Sequence, residues 1–151
     1  MSLDFQGTSE LVLDAKCRLT VPVRHRAPYV DGGGMTLTVH PDGCLLLYPK
    51  VRWDEIATRL NSLSAFDRQV REWQRLLIGH AEPVELDAAG RILIAPALRK
   101  RAGLEPEAKA AFVGQGHRCE IWDLARWNSE MDSAFATAAD TAPPGAEDFT
   151  L

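Results

Sequence analysis

The sequence contains an internal repeat, which constrains the fold more than any other feature. Residues 13–22 (LDAKCRLTVP) align with residues 86–95 (LDAAGRILIA) at a constant offset of 73, and the same register pairs Arg26 with Arg99. A repeat at a fixed offset indicates a supersecondary unit that buries its apolar face against its neighbour. The chain has 151 residues, which is enough for two such units around a shared core. We therefore predict a duplicated fold.

A second match follows the first in each half. Residues 44–48 (CLLLY) are followed by Trp53 five positions later, and residues 119–122 (CEIW) are followed by Trp127 at the same spacing. Both halves therefore carry the same two segments in the same order.

The repeat and the composition divide the chain into three parts. We predict a first repeat over residues 5–80, a second repeat over residues 81–139, and a disordered acidic tail over residues 140–151. The tail is rich in Pro, Ala, Thr and acidic residues and has too little apolar surface to pack.

Each half is predicted to contain two hairpins. Segments rich in Leu, Val and Thr flank the turn at residues 14–18, which predicts a first hairpin, and the second half repeats this pattern. The residues Pro41, Asp42 and Gly43 are typical of a tight turn and predict a second hairpin. The predicted strand pairs are 9–13 with 19–23, 82–86 with 91–95, 35–40 with 44–48, and 110–113 with 118–122.

Apolar residues spaced near 3.6 predict the helices. One helix begins near Trp53, and a second, with Ser64 as its N-cap, continues to Gly79. The second half is predicted to have a short helix over residues 96–102 and a last helix capped by Asp123.

Charge is distributed unevenly along the chain. The formal net charge is −4, but from Glu130 onward there are five acidic residues and no Lys or Arg. Residues 15–28 and 88–104 each contain four Lys or Arg residues and no acidic residue. Local positive charge of this kind favours a polyanionic partner.

Motifs of catalysis, metal binding and membrane insertion are absent from the sequence. It has no HExxH, GxSxG or P-loop pattern, and its three cysteines form no CxxC pair. We expect no enzyme activity, no cofactor, no metal and no small-molecule substrate. Because no apolar run approaches the roughly 20 residues of a membrane span, and the first residues lack a secretory pattern, we expect a cytoplasmic protein without a membrane partner.

The repeated Asp-x-x-x-Arg turn combines two physical roles. Asp14 and Asp87 can accept backbone N–H bonds and hold the turn, while Gly90 supplies a positive φ. Arg18 and Arg91 then begin the outgoing strand, where a guanidinium can reach a phosphate or the edge of a guanine. In the alternative interpretation each Asp and Arg simply form a surface ion pair. The surplus of positive charge around both copies favours ligand binding.

The aromatic residues also have two interpretations. The four tryptophans have apolar neighbours in sequence, which favours core packing over base stacking. An apolar stripe of Phe66, Val70, Trp73 and Leu77 covers either its own chain or another subunit.

Five segments together resemble the MraZ family: residues 5–9 (FQGTS), 13–22, 42–45 (DGCL), 87–94 (DAAGRILI) and 120–122 (EIW). The resemblance runs from about residue 5 to residue 131. It implies an α+β fold, the AbrB-like swapped-hairpin β-barrel with packed helices and a pseudo-twofold axis within one chain. It also implies a nucleoid-associated bacterial transcriptional regulator, usually a repressor of the division and cell wall gene cluster. Such proteins form closed homo-oligomeric rings and bind double-stranded DNA at short G-rich direct repeats in promoters.

The resemblance assigns the DNA-binding residues. The basic turn residues of the family correspond to Lys16, Arg18 and Arg91, and we expect Arg18 to read a guanine. Phosphate contacts are expected from the basic residues around the turns, Lys16, Arg24, Arg26 and Arg99. The alternative is a ring-forming protein-interaction module without sequence-specific DNA binding.

The chain departs from the family pattern in three places: at Cys17, at Ala89 with Pro96 one place later than expected, and at residues 1–4, which precede the usual family start. Cys17 replaces a glycine, which predicts a first turn that is either strained by about 1 kcal/mol or remodelled. Ala89 replaces a basic residue, which makes the first turn the expected main reader of DNA. The residues expected to shape the turns are Asp14, Cys17, Asp87 and Gly90.

Overall fold

A computed structural model describes residues 3–138 and 142–150 as an α+β fold. In this part of the chain the strands are β1 (Phe5–Val12), β2 (Arg18–Thr20), β3 (Met35–Val39), β4 (Leu45–Pro49), β5 (Glu82–Val84), β6 (Arg91–Leu93), β7 (Lys109–Gly116) and β8 (Cys119–Asp123). The helices are α1 (Arg26–Asp31), α2 (Lys50–Asn61), α3 (Arg68–Trp73), α4 (Pro96–Ala102) and α5 (Leu124–Thr137), with a 3₁₀ turn at Val23–His25 and a π-helical turn at Gln74–Ile78.

The strand pairing makes the internal duplication visible. One antiparallel sheet has the order β1-β7-β8-β4-β3-β5, and β2 pairs with β6 in a separate two-stranded ribbon. Leu46 lies opposite Glu120 in the sheet and Leu19 lies opposite Ile92 in the ribbon, and each pair joins equivalent positions of the two halves. In both places the chain therefore pairs equivalent segments of its two halves, as a duplicated fold predicts.

The first predicted hairpin of each half is wrong. The strands on either side of the turn do not pair with each other: β1 pairs with β7 and β5 pairs with β3, while β2 and β6 form the ribbon. The turn residues fix only the turn, and pairing across the halves buries both apolar faces in one core. The second hairpins, β3 with β4 and β7 with β8, are confirmed.

The hydrogen bonding of the six-stranded sheet leaves β1 and β5 as its two edges. The halves exchange strands, but these described strands do not close into a ring of pairs. The swapped-hairpin barrel therefore stays a prediction.

The helices differ from expectation in one boundary and one additional helix. Asp67, not Ser64, is the N-cap of α3, because its carboxylate accepts the N–H of Gln69 at 2.8 Å. The short helix α1 lies where the sequence predicts only a connection, and it occupies the place of α4 in the repeat. The end of α4 at Gly103 and the cap of α5 by Asp123 are confirmed.

The core has two layers, one on each face of the sheet. The ribbon, α1 and α4 pack on one face, where Leu19, Ile92 and Leu98 are almost completely buried. The helices α2 and α5 and the π-helical turn pack on the other, around Trp53 and Trp122. Core packing is confirmed for these two tryptophans and is partial for Trp127, whereas Trp73 is 44% exposed. No helix in the described ranges is long and apolar enough to cross a membrane.

Three residues of the predicted tail, 140, 141 and 151, lie outside the described residues. Residues 142–150 contain two turns, in which Ala146 N–H donates to Pro143 at 3.0 Å and Phe149 N–H donates to Ala146 at 3.1 Å. The disorder of the whole tail stays a prediction.

Candidate nucleic-acid interface

The first turn is organised by the carboxylate of Asp14. Its Oδ1 accepts the backbone N–H groups of Lys16 at 2.9 Å and Arg18 at 2.8 Å. Its Oδ2 accepts Nε of Arg18 at 2.7 Å. The backbone closes the turn through Asp14 N–H to the carbonyl of Arg18 at 3.0 Å and Cys17 N–H to the carbonyl of Asp14 at 3.0 Å. One carboxylate therefore fixes both the loop and the stem of the arginine side chain.

The second turn repeats this geometry almost atom for atom. Asp87 Oδ1 accepts the N–H groups of Ala89 and Arg91, both at 2.9 Å, and Oδ2 accepts Nε of Arg91 at 2.8 Å. Gly90 N–H donates to the carbonyl of Asp87 at 2.9 Å. Both aspartates thus make the same set of hydrogen bonds within their turns.

The ribbon holds the two turns next to each other. Arg18 lies opposite Leu93 and Arg91 lies opposite Thr20 in the ribbon. Nη1 of Arg91 is 3.7 Å from Oδ2 of Asp14, so a cation of one half lies beside the carboxylate of the other. Two basic segments 73 residues apart therefore form one continuous surface.

The arginines of the turns retain donors for a ligand. A guanidinium has five N–H donors. Nε is the only guanidinium nitrogen of Arg18 or Arg91 that donates a hydrogen bond within residues 3–138 and 142–150. Both side chains are about one-third exposed. The ion pairs of the alternative interpretation do form, and they orient the arginines without using up their Nη donors.

Cys17 has the backbone geometry of its counterpart in the second turn, Gly90. Its φ is +59°, and Gly90 at the equivalent position has a φ of +79°. The carbonyl of Cys17 accepts Ile94 N–H at 3.1 Å, just as that of Gly90 accepts Val21 N–H at 2.9 Å. The first turn is therefore not remodelled, and a strain of about 1 kcal/mol from a Cβ at positive φ stays a prediction.

Arg26 and Arg99 support the ribbon. Nε of Arg26 donates to the carbonyl of Val21 at 2.9 Å, and Nε of Arg99 donates to the carbonyl of Ile94 at 3.2 Å. The Arg26 guanidinium lies directly over Gly90, where an added Cβ would be only 2.3 Å from Nη2. An arginine of the first half therefore covers the turn of the second half.

Arg24 is held by the first strand and not by either turn. Its Nη2 donates to Oγ of Ser9 at 2.8 Å, and its Nε donates to Nε2 of His25 at 3.2 Å. The His25 ring is buried and stacks on Phe112 with 5.6 Å between centroids. Sequence reasoning missed Ser9 as a partner of Arg24, because a contact between residues 15 positions apart leaves no local pattern. It also missed the adjacent His25, whose ring contacts Arg24 only because the fold buries it against Phe112.

The remaining predicted site residue, Lys16, is exposed at the tip of the first turn, where its equivalent in the second turn is Ala89. Lys100 and Arg101 are exposed on α4 and add to the charge of the same layer. The two turns are thus equal in backbone geometry and unequal in charge.

The hydrogen bonds of the turns also favour the ionised form of both aspartates. The backbone N–H of Arg18 lowers the pKa of Asp14, and the Arg18 guanidinium and the Lys16 N–H act in the same direction. The N–H of Arg91, with its guanidinium, lowers the pKa of Asp87 in the same way. Burial, and then the neighbouring Arg24, lower the pKa of His25, so this ring is neutral near pH 7.

Comparison with known proteins places this geometry in a family. The family model described as MraZ protein matches the chain twice, over residues 5–76 and residues 77–142. The chain belongs to the MraZ family. The double match agrees with the duplicated fold.

Relatives named transcriptional regulator MraZ cover nearly the whole chain. The protein of Nitrosomonas eutropha is 43% identical over 149 residues, which is 97% of this chain and 99% of that protein. The protein of Nitrosospira multiformis is 45% identical with the same coverage, and that of Thioalkalivibrio sulfidiphilus is 44% identical over 94% of this chain and 95% of that protein. The chain is therefore a transcriptional regulator of the MraZ family and not an enzyme.

Proposed function

We propose that this MraZ family protein regulates transcription by binding promoter DNA through the surface that its two turns share. The specific role is repression of the division and cell wall gene cluster, including its own promoter, on the bacterial nucleoid. The DNA target is a set of short G-rich direct repeats. The two halves act as a swapped-hairpin barrel with a pseudo-twofold axis, and several copies assemble into a closed ring.

The observation that carries this proposal is the joining of the two Asp-x-x-x-Arg turns by the ribbon. Arg18 and Arg91 are fixed at Nε by their own aspartates and keep their Nη donors. A guanidinium oriented in this way can donate two bonds to O6 and N7 of a guanine, which is the commonest specific contact to a base. Preorganisation also reduces the side-chain entropy lost on binding.

The basic residues around the two turns bind the DNA backbone and do not read its sequence. Lys16, Arg24, Arg26 and Arg99 contact phosphates, which supply affinity that depends on salt and not on sequence. Because Lys16 has only Ala89 as its counterpart, the first turn contributes more of this affinity than the second. In a ring, neighbouring subunits bind successive repeats, so weak individual contacts multiply through effective concentration.

The test is a salt-titrated binding isotherm on the DNA upstream of the protein's own gene, with a scrambled duplex of equal length as reference. Arg18→Ala is expected to weaken promoter binding by about 1–3 kcal/mol and to have a smaller effect on scrambled DNA. The matched control is Arg52→Ala, which removes the same charge from α2, outside both turns and the ribbon.

Two outcomes contradict the proposal. A wild-type protein that binds promoter and scrambled DNA equally has no sequence preference, and the basic surface is then a docking site for an acidic protein. An Arg52→Ala loss as large as the Arg18→Ala loss places the DNA elsewhere on the molecule.

A further inference from the structure

His25 and Leu98 occupy equivalent positions in the two repeats. The offset of 73 that relates the two basic turns also relates these two residues. The N–H of His25 donates to the carbonyl of Pro22 at 2.9 Å, and the N–H of Leu98 donates to the carbonyl of Ala95, the equivalent of Pro22, at 3.0 Å. Both side chains are almost completely buried. The second repeat therefore shows that an apolar side chain is sufficient at this core position.

The histidine of the first repeat leaves a buried polar atom without a partner. Its Nε2 accepts the Nε–H of Arg24 at 3.2 Å, so in the neutral ring the proton is on Nδ1. Within residues 3–138 and 142–150, Nδ1 is buried and has no hydrogen-bond partner. The ring packs beside Phe5 and Phe112, with centroid distances of 5.9 and 5.6 Å. Because an unpaired buried N–H destabilises a folded protein, packing alone favours leucine at position 25.

The histidine supplies one of two acceptors that hold the guanidinium of Arg24. Nε2 of His25 accepts Nε, and Oγ of Ser9 accepts Nη2 at 2.8 Å. The guanidinium also lies against Gly7 of β1, where an added Cβ would be 3.3 Å from Nη2. Acceptors for two different nitrogens of a planar group fix its orientation. Arg24 is nevertheless exposed, and its Nη1 donates no hydrogen bond within the described part of the chain.

The second repeat has neither member of this pair. The equivalent of Arg24 is Ala97, which is exposed, and the equivalent of His25 is Leu98. The core position is thus apolar in the repeat that lacks the arginine, and it carries a hydrogen-bond acceptor in the repeat that has the arginine. The histidine therefore accompanies the arginine and is not a requirement of the fold.

We propose that His25 is a positioning residue for DNA binding, which holds the guanidinium of Arg24 with Nη1 free to bind a phosphate of the DNA backbone. A side chain that is fixed before binding loses less conformational entropy when it makes the contact. Because the contact is to a phosphate, His25 affects the affinity for any duplex and not the preference for a sequence. This inference rests on the phosphate contact of Arg24 in the proposed function and assigns the residue that orients Arg24 for it.

The test is His25→Leu in the full chain, which gives the first repeat the residue of the second. The Tm is expected to equal or exceed that of the wild type, because the unpaired Nδ1–H is removed. Binding of promoter and scrambled duplexes is expected to weaken by about 2- to 10-fold on both, because Arg24 is no longer held at Nε. A residue with only a structural role would not lower DNA affinity while preserving stability.

Three further variants support the comparison. His25→Met is a second apolar variant with a more adaptable side chain and is expected to behave like His25→Leu. His25→Gln is the conservative variant, since its Oε1 can accept the Nε–H of Arg24, and it is expected to restore most of the lost affinity. Leu98→Met changes the equivalent core position beside Ala97 and is the matched control, with unchanged DNA affinity.

The decisive measurement is His25→Leu in an Arg24→Ala background. Without the guanidinium, the substitution is expected to have no further effect on DNA affinity. An equal loss with and without Arg24 would overturn the proposal, and so would wild-type affinity in both apolar variants or a His25→Gln protein as weak as His25→Leu.

A readout without DNA separates this inference from the proposed function. In ¹H–¹⁵N spectra the Nε–H signal of Arg24, assigned by its absence in Arg24→Lys, is expected in the wild type and His25→Gln and is expected to be lost by exchange with water in His25→Leu. If that signal and the double-variant comparison behave as expected but the wild type binds promoter and scrambled DNA equally, the positioning role holds and the proposed function fails. If the signal behaves as expected but no variant changes DNA affinity, His25 holds an arginine that does not bind DNA, and the proposal is overturned.

Discussion

Cys17 offers a direct test of how the first turn is held. Its φ of +59° is in the left-handed region, and its thiol is buried with 2% exposure. A residue with a Cβ pays roughly 1–2 kcal/mol for this conformation. Replacing Cys17 by Gly removes that cost but also removes a buried side chain worth about 1 kcal/mol, so the net change is small.

The backbone contribution is isolated by comparing Gly with Ala at the same position. Where φ is positive, Ala is less stable than Gly by more than about 0.4–1 kcal/mol. We therefore expect Cys17→Gly to be more stable than Cys17→Ala by about 1 kcal/mol, which for a domain of this size is about 2–4 °C in Tm. This order is the reverse of the usual one, because Gly ordinarily destabilises a folded chain relative to Ala.

The control is the same pair of substitutions at Cys44. This residue is also buried, with 1% exposure, but it is not among the positive-φ residues. There Ala is expected to be more stable than Gly by about 0.5–1 kcal/mol. Chemical denaturation of the four variants gives both differences. If Ala is the more stable residue at position 17 as well, the turn does not require a positive φ and the equivalence with Gly90 is wrong.

Two further predictions concern the turns. The folded-state pKa values of Asp14 and Asp87 lie below the ordinary 3.8, so their stabilisation is present above about pH 4 and is lost as the pH falls through the folded values. Thermal melts from pH 6 to pH 3 should therefore show a smaller loss of stability in the Asp14→Asn, Asp87→Asn double variant than in the wild type, and equal losses would show that these carboxylates are not the cause. Gly90→Ala should destabilise the protein by at least about 1 kcal/mol, because it combines positive φ with a Cβ that displaces the Arg26 guanidinium. A Tm unchanged by this substitution would mean that the arginine moves without cost.

The parts of the fold that the sequence predicts well are those with local causes. The Pro41-Asp42-Gly43 turn, the end of α4 at Gly103 and the cap of α5 by Asp123 each depend on a few adjacent residues. The turns built on Asp14 and Asp87 are also local. In each turn the hydrogen bonds join an aspartate to the arginine four residues later, so the repeated spacing is enough to predict them.

The partner of a strand is not a local property. Nothing in residues 5–23 distinguishes a hairpin between β1 and β2 from the observed pairing of β1 with β7 about 100 residues away. Core packing determines which strands pair. Exchange of strands between the halves brings Leu19 and Ile92 together in the ribbon, where both side chains are buried in the core.

The site shows the same division between local and distant contacts. The hydrogen bond between Asp14 and Arg18 can be predicted from their spacing of four residues. The hydrogen bond from Arg24 to Ser9 and the position of Arg26 over Gly90 form only in the folded chain and cannot be predicted in this way. The error at the start of α3 has a local cause, because both Ser64 and Asp67 are good caps and the carboxylate of Asp67 makes the cap bond to Gln69.

The most direct test of the account is to remove one acceptor from the DNA and one donor from the protein. Binding is measured for the wild type and Arg18→Ala on the promoter repeat and on repeats in which each guanine in turn is replaced by 7-deazaguanine, which lacks N7. The account predicts one position per repeat where the replacement weakens the wild type by about 1 kcal/mol or more and has no further effect on Arg18→Ala. If the two losses add at every guanine, Arg18 does not read a base, and the central claim is contradicted.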